Sequence, residues 1–276
     1  MATSSIFKPV TVITGASVGI GAALAHVFAR NGHEIALVAR REKEMTLLAT
    51  EIAVSAKHKP IVITQDLQRA DAPARIAHEL LGRGLEPAIV VNNAGFGLHG
   101  PAAEIDRGEQ LAMIDLNVRA LTDLSLRWID GIVKHKGGIL NVASVAGFMP
   151  GPHMAVYYAS KAYVLSFTEA LARELEPLGV RVTALCPGPV KTEFQMRAGL
   201  DSRKPPPLLG RTAEQVAQAG YDGFMAGKRL VIPGFGNKAV SMVPRFLPRG
   251  MVLKMLESYQ RDRGRGAEGW RKPPKP

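Results

Sequence analysis

The 276 residues carry 46% hydrophobic and 21% charged side chains with 28 Gly and 19 Pro, a balance that disfavours collagen, coiled coil and wholesale disorder and leaves a packed globular chain. A lone cysteine, Cys186, rules out an internal disulfide, a four-thiolate zinc site or an iron–sulfur cluster within one chain, and points to a reducing cytoplasm. Of the net charge of +11, residues 228–276 hold +9, from twelve Lys or Arg against three acids, so the preceding body is nearly neutral and a nucleic-acid reading rests on the tail alone.

Residues 1–9 lack the basic, apolar and small-residue zones of a secretory signal, and no uninterrupted apolar run reaches the roughly 18–20 residues that span a bilayer. Short β-branched runs predict seven strands at 10–14, 34–39, 60–64, 88–91, 138–143, 180–185 and 229–232, separated by helical patterns. That alternation predicts βαβ units and an α/β fold, a Rossmann-type doubly wound parallel sheet with helices on both faces, forming one domain over 1–234. In such sheets ligands bind beyond the carboxyl ends of the strands. Residues 191–211 turn irregular around Pro205, Pro206 and Pro207 and form a candidate lid, after which Thr212-Ala213-Glu214-Gln215 reads as a capping box. Residues 235–276 form a basic C-terminal extension, partly helical and then mobile from 261 onward. Within it Val252, Met255, Leu256 and Tyr259 make an apolar helical stripe that docks on the body or on a second subunit, or lies on an anionic membrane surface.

The first strand runs into Thr14-Gly15-Ala16-Ser17-Val18-Gly19-Ile20-Gly21, and a helical pattern follows at once. A tight strand-to-helix turn needs glycine, and the helix N-terminus beyond it offers N–H groups and a positive dipole end to a pyrophosphate. Gly15, Ser17, Gly19, Ile20 and Gly21 are therefore candidate cofactor contacts. After the second strand stand Arg40 and Arg41 rather than a carboxylate, and a guanidinium fork suits a 2′-phosphate, which favours NADP(H) over NAD. Asp66 and Leu67 follow the third strand, where an adenine is held.

Tyr157 and Lys161 stand four apart, on one face of the fifth predicted helix. A phenol with a pKa near 10 relays protons poorly at neutral pH, and a neighbouring ammonium favours its ionised form. Ser144 ends the fifth strand and is placed to bond a substrate oxygen, while Asn117, within the fourth helix, is placed to anchor water or hold Lys161. Tyr158 and Tyr163 are decoys without a lysine four residues on. His99 and His153 read as solvated loop histidines, and Cys186 as a packed small hydrophobe. No histidine pair has metal-ligand spacing.

Over roughly residues 8–234 the chain resembles the short-chain dehydrogenase/reductase family, on T-G-x-x-x-G-x-G at 14–21, N-N-A-G at 92–95, Asn117, Ser144, Y-x-x-x-K at 157–161 and P-G-x-x-x-T at 187–192. The resemblance implies that Tyr157 is the acid/base, Ser144 polarises the carbonyl, Lys161 binds the nicotinamide ribose and tunes the tyrosine, and Asn117 completes a proton relay. It also implies that Asn93, Ala94 and Gly95 line the cofactor while Pro187, Gly188, Val190 and Thr192 meet its nicotinamide end. The arginines and basic extension are similar to the 3-oxoacyl and 17β-hydroxysteroid reductase subgroup, which implies an apolar, lipid-like carbonyl substrate, and the family's pairing through its fourth and fifth helices implies a homodimer or homotetramer. A cofactor-sensing or scaffold protein on the same fold is the alternative, with no nucleic-acid partner expected.

Overall fold

Parallel strands in the order β3-β2-β1-β4-β5-β6-β7 make the central sheet of the computed structural model, which describes residues 7–200 and 208–264. They are β1 (Lys8–Thr14), β2 (Ile35–Ala39), β3 (Ile61–Thr64), β4 (Leu85–Asn92), β5 (Gly138–Val142), β6 (Arg181–Leu185) and β7 (Leu230–Val231). Inner strands such as β4 and β5 are buried almost throughout, which is why the sequence reads there as continuous apolar runs rather than alternation. The direction of winding reverses between β1 and β4, and a crevice opens there beyond the strands' carboxyl ends.

Helices cover both faces. On one side α1 (Gly19–Arg30), α2 (Glu42–Ala53) and α9 (Ala213–Met225) bury Leu24, Phe28, Met45, Ile52, Val216 and Phe224 against Ile13 and Leu37. Phe28 meets the Tyr221 ring edge-on at 4.9 Å, and burying a side chain of that size contributes about 2 kcal/mol. On the other side α3 (Ala72–Gly82), α5 (Leu121–Arg127), α6 (Ile129–Lys134) and α7 (Ala155–Leu175) bury Ile76, Leu80, Leu124, Ile132 and Leu171 against Val12, Val38 and Val90. The predicted capping box at Thr212 closes in both directions at the start of α9.

Three features differ from the sequence reading. The single fourth helix is α4 (Arg107–Ile114), a π-helical turn (Asp115–Ala120) and then α5, so Tyr157 falls on α7. The π turn coincides with Asn117, whose amide is bonded to both backbone groups of Phe96, a tertiary demand that no local pattern announces. The start of the irregular loop folds into α8 (Glu193–Arg197), and a bridge between Val190 and Arg211 ties the loop's two ends, while Pro205 to Pro207 lie outside the described residues. Beyond β7 come α10 (Phe235–Phe246) and α11 (Arg249–Gly264), which runs into the stretch expected to be mobile from 261; its remainder, 265–276, lies outside the described residues. The α11 stripe is Val252, Leu256 and Gln260, all buried, with Met255 and Tyr259 at its exposed edge, so this helix docks on its own body.

Candidate active site

The turn after β1 is shaped by close approach. Gly15 has φ +63°, and a Cβ there would sit 2.8 Å from the Ala94 Cα; one on Gly21 would sit 2.2 Å from the Gly15 carbonyl oxygen. Thr14 Oγ1 accepts the N–H groups of Asn93 at 3.0 Å and Ala94 at 3.1 Å, and Asn93 Nδ2 returns the link by donating to the carbonyls of Thr14 at 2.9 Å and Gly15 at 3.2 Å. Asn93 thus clamps the turn with its side chain and meets the crevice with its backbone. Val18 caps α1 with extended backbone and no side-chain bond, which leaves the first amides of α1 open toward Ser17, Gly19 and Ile20. A pyrophosphate fits this cradle, where any Cβ at Gly15 or Gly21 would collide with backbone.

At the ends of β2 and β3 the two arginines face the same crevice. Arg41 donates to Ser17 Oγ through Nε at 3.3 Å and Nη2 at 3.2 Å, and through Nη1 to Glu193 Oε2 at 2.9 Å. Arg40 Nη1 stands 4.0 Å from Asp66 Oδ2, and Leu67 is buried beside it. Cationic groups therefore concentrate where the second strand ends, next to the uncapped start of α1.

Across the crevice, Lys161 is buried and its ammonium donates to the Val142 carbonyl at 2.8 Å; burial pulls its pKa down from 10.5 to about 8. Tyr157, one turn earlier on α7, lays its ring on Phe194 at 5.3 Å. Gly97 makes this contact possible, because a Cβ there would lie 2.8 Å from Phe194 Cζ and 3.1 Å from Tyr157 Cδ2. Ser144 follows β5 and caps a 3-10 turn (Val145–Phe148), its Oγ accepting the Ala146 N–H at 3.1 Å and facing the Pro187 carbonyl at 3.5 Å. Ser144, Tyr157 and Lys161 share one cavity of about 840 Å³ with the glycine turn, Arg40, Arg41, Asp66, Leu67, Asn93 to Gly95, Pro187, Gly188, Val190 and Thr192.

Asn117 is set one layer back. Its Oδ1 accepts the Phe96 N–H at 3.1 Å, and its Nδ2 donates to the Phe96 carbonyl at 2.9 Å and to Ser160 Oγ at 3.1 Å; Ser160 in turn donates to the Tyr157 carbonyl at 2.7 Å. The Asn117 amide thus bonds Phe96 and Ser160, while the Lys161 ammonium bonds the Val142 carbonyl.

A family model described as short chain dehydrogenase matches residues 9–203. The chain belongs to the short-chain dehydrogenase family. It is 36% identical over 217 residues to "Sulfoacetaldehyde reductase 2" of Chromohalobacter salexigens, covering 76% of this chain and 85% of that protein. Among solved structures it superposes with TM-score 0.75 and 30% identity on a short-chain dehydrogenase from Sphingobium yanoikuyae in complex with NADPH, over 88% of this chain and 97% of that one. A bulky-bulky ketone specific alcohol dehydrogenase from Comamonas testosteroni matches with TM-score 0.71 and 28% identity, over 88% and 96%. The protein is an oxidoreductase of this family.

Several residues of this short-chain dehydrogenase's cavity carry no motif and escape sequence reasoning. Asn237, buried at the start of α10, donates to the carbonyls of Leu209 at 3.1 Å and Pro233 at 2.8 Å and packs on Gly188, propping the strand-end loop. Arg197 of α8 stacks its guanidinium 4.0 Å from the Phe96 ring centroid; burial, then the charge of Arg40, lowers its pKa. The walls near Tyr157 are apolar: Met149, Met154, Phe194, Leu200, Met255 and Leu256.

The histidines are not simply solvated. The rings of His99 and His153 lie 6.2 Å apart, and His99 Nε2 stands 3.0 Å from the Gln260 carbonyl of α11. Of the two decoys, Tyr158 is buried and accepts from Gln260, whereas Tyr163 stacks on Phe167 and bonds Thr122 at 2.9 Å. Cys186 is fully buried and burial pushes its thiol up to about 12, which leaves it inert. No cluster of His, Cys, Asp or Glu suited to a metal occurs among the described residues, and among them no helix is long and apolar enough to cross a membrane.

Proposed function

We propose that the protein reduces an apolar ketone or aldehyde at the expense of NADPH, with Tyr157 as the acid. One observation carries this reading: Tyr157 and a fully buried Lys161, one helical turn apart, open onto the same cavity as the glycine turn. The nicotinamide, when bound, supplies the hydride. Ser144 holds the carbonyl oxygen by donating its hydroxyl proton, freed from the 3.5 Å approach to the Pro187 carbonyl. Tyr157 donates its phenolic proton to that oxygen, and the Lys161 ammonium stabilises the phenolate left behind. Asn117 acts as a positioning residue, fixing Phe96 and, through Ser160, the turn of α7 that carries Tyr157. The open amides of α1 take the pyrophosphate, and Arg40 and Arg41 take the 2′-phosphate, in line with the NADPH held by the Sphingobium yanoikuyae neighbour.

The substrate side favours a bulky apolar carbonyl. Among the described residues the cationic side chains lining the cavity are Arg40, Arg41 and Arg197, grouped toward the β2 and β3 ends, and Lys161; Met, Leu and Phe surround Tyr157. This resembles the demand of a bulky ketone more than that of a sulfonated aldehyde, despite the likeness to a sulfoacetaldehyde reductase. Two copies pair through α5 and α7, a reading supported by exposed Leu126 and Tyr163 on those helices.

NADPH oxidation against ketones, aldehydes and acyl thioesters of graded size tests the assignment. Turnover with bulky apolar carbonyls exceeding that with sulfoacetaldehyde is the expected result. NADPH binding without turnover of any carbonyl would instead favour the sensing or scaffold reading.

A further inference from the structure

We infer that α10 and α11 form a docking surface for an anionic lipid bilayer, with the mouth of the cavity opening onto it. Along α10, Phe235, Ala239, Met242 and Phe246 recur at i, i+4, i+7 and i+11 and all point outward, Phe235 at 83% and Phe246 at 77% exposure. The opposite face of the helix is buried through Gly236, Asn237 and Ser241, so the outward apolar stripe is not a misplaced core face. Lys238 and Arg245 flank the stripe on one side. Leu208, before α9, and Met251, Met255 and Tyr259 of α11 are exposed as well. Two phenylalanines this exposed on one helix face are costly on a water-facing body.

Charge selects the occupant. Arg249 and Lys254 join Lys238 and Arg245 around the patch, Glu257 is already paired with Arg261, and residues 228–276 hold a net +9. A second copy docking by twofold symmetry would set these cations against themselves. Residues 265–276 add Arg265, Arg271, Lys272 and Lys275 against Glu268 alone to the basic charge of the extension. Anionic headgroups neutralise the cations while the phenylalanines enter the acyl boundary, the arrangement of an interfacial amphipathic helix.

Met255 and Tyr259 are both exposed and part of the cavity wall, and Val240 of α10 lines the cavity too. An apolar carbonyl dissolved in the bilayer therefore reaches Tyr157 without crossing water. This route rests on the apolar-substrate reading above, whereas the docking surface itself does not need it.

Flotation of the full chain with vesicles of phosphatidylcholine alone, or of phosphatidylcholine with phosphatidylglycerol, tests the surface with no carbonyl present. The full chain is expected to float with the anionic vesicles and stay behind with the neutral ones. Phe235→Ser with Phe246→Ser, and separately Lys238→Glu with Arg245→Glu, should each cut the floated fraction by about tenfold or more, with NADPH oxidation of a water-soluble ketone unchanged. Recovery of the wild-type chain in the soluble fraction with both vesicle types overturns the proposal. So does a concentration-dependent oligomer, in sedimentation, that the phenylalanine variants dissolve, since a second copy then covers the face. Failure of flotation with ketone reduction intact sinks the surface alone; the reverse sinks the substrate reading alone.

Discussion

Gln260 Nε2 donates to the Tyr158 hydroxyl at 2.7 Å and so fastens α11 to α7, the helix that carries Tyr157 and Lys161. The bond is buried, and the Gln260 carbonyl also meets His99 at 3.0 Å. The C-terminal helix is thereby part of the cavity wall rather than an appendage. Gln260→Leu removes this buried bond between α11 and α7, which should destabilise the fold by about 1–2 kcal/mol in thermal or urea unfolding. KM for a bulky ketone should rise more than KM for a small one, because Met255 and Leu256 lose their fixed position. Equal shifts for both would detach α11 from substrate selection.

Lys161 makes activity and stability depend on pH in opposite senses. Burial holds its pKa near 8 against 10.5 in an unfolded chain, so between those values the unfolded chain binds more protons. The cost of burying the charge is carried in full below about pH 8 and relieved as pH rises to 10.5, a gain of at most about 3 kcal/mol that Lys161→Met should lack. In the proposed mechanism reduction needs the ammonium, so kcat/KM should fall above about pH 8. A wild-type kcat/KM profile that stays flat through pH 8–9 would contradict the role given to this lysine.

Two glycines separate binding from chemistry. Gly21→Ala places a Cβ 2.2 Å from the Gly15 carbonyl oxygen and should abolish NADPH binding, as read by cofactor fluorescence titration. Gly97→Ala instead presses on Phe194 and Tyr157, at 2.8 Å and 3.1 Å, and should lower kcat with NADPH affinity within about twofold. Matching losses of affinity in the two variants would show that Gly97 belongs to the cofactor cradle.

Much of this architecture is legible in the sequence because it depends on local chemistry. Continuous apolar runs at β1, β4 and β5 reflect burial on both sheet faces, and the glycine turn is dictated by its own backbone clashes. Thr212 to Gln215 spell out their cap. The remainder depends on partners distant in the chain. Asn117 sits in a π turn because Phe96, 21 residues away, takes both ends of its amide. The inner stripe of α11 includes a glutamine, which apolar periodicity passes over, since Gln260 is buried by virtue of Tyr158. Arg197 and Asn237 carry no motif and gain their places only when α8 and α10 fold over the strand ends.

The proposed role of Arg40 and Arg41 makes cofactor choice testable. Arg40→Ser with Arg41→Ser should reduce the ratio of kcat/KM for NADPH over NADH by about tenfold or more, since a charge-assisted bond to phosphate is worth about 1.5–3 kcal/mol. Glu193 competes with phosphate for Arg41, to which it is bonded at 2.9 Å. Glu193→Gln should accordingly tighten NADPH with little effect on NADH, a comparison of the two KM values that reverses if Glu193 instead holds Arg41 in its binding posture.

The Tyr157 hydroxyl, proposed to deliver the proton, can be deleted without touching the ring packed on Phe194 and Gly97. The decisive measurement is single-turnover reduction of a bulky ketone by Tyr157→Phe beside a fluorescence titration of its NADPH affinity. Affinity within about twofold of wild type and a rate lower by about a hundredfold or more are expected. A variant that binds NADPH normally and reduces the ketone at the wild-type rate would contradict proton delivery by Tyr157.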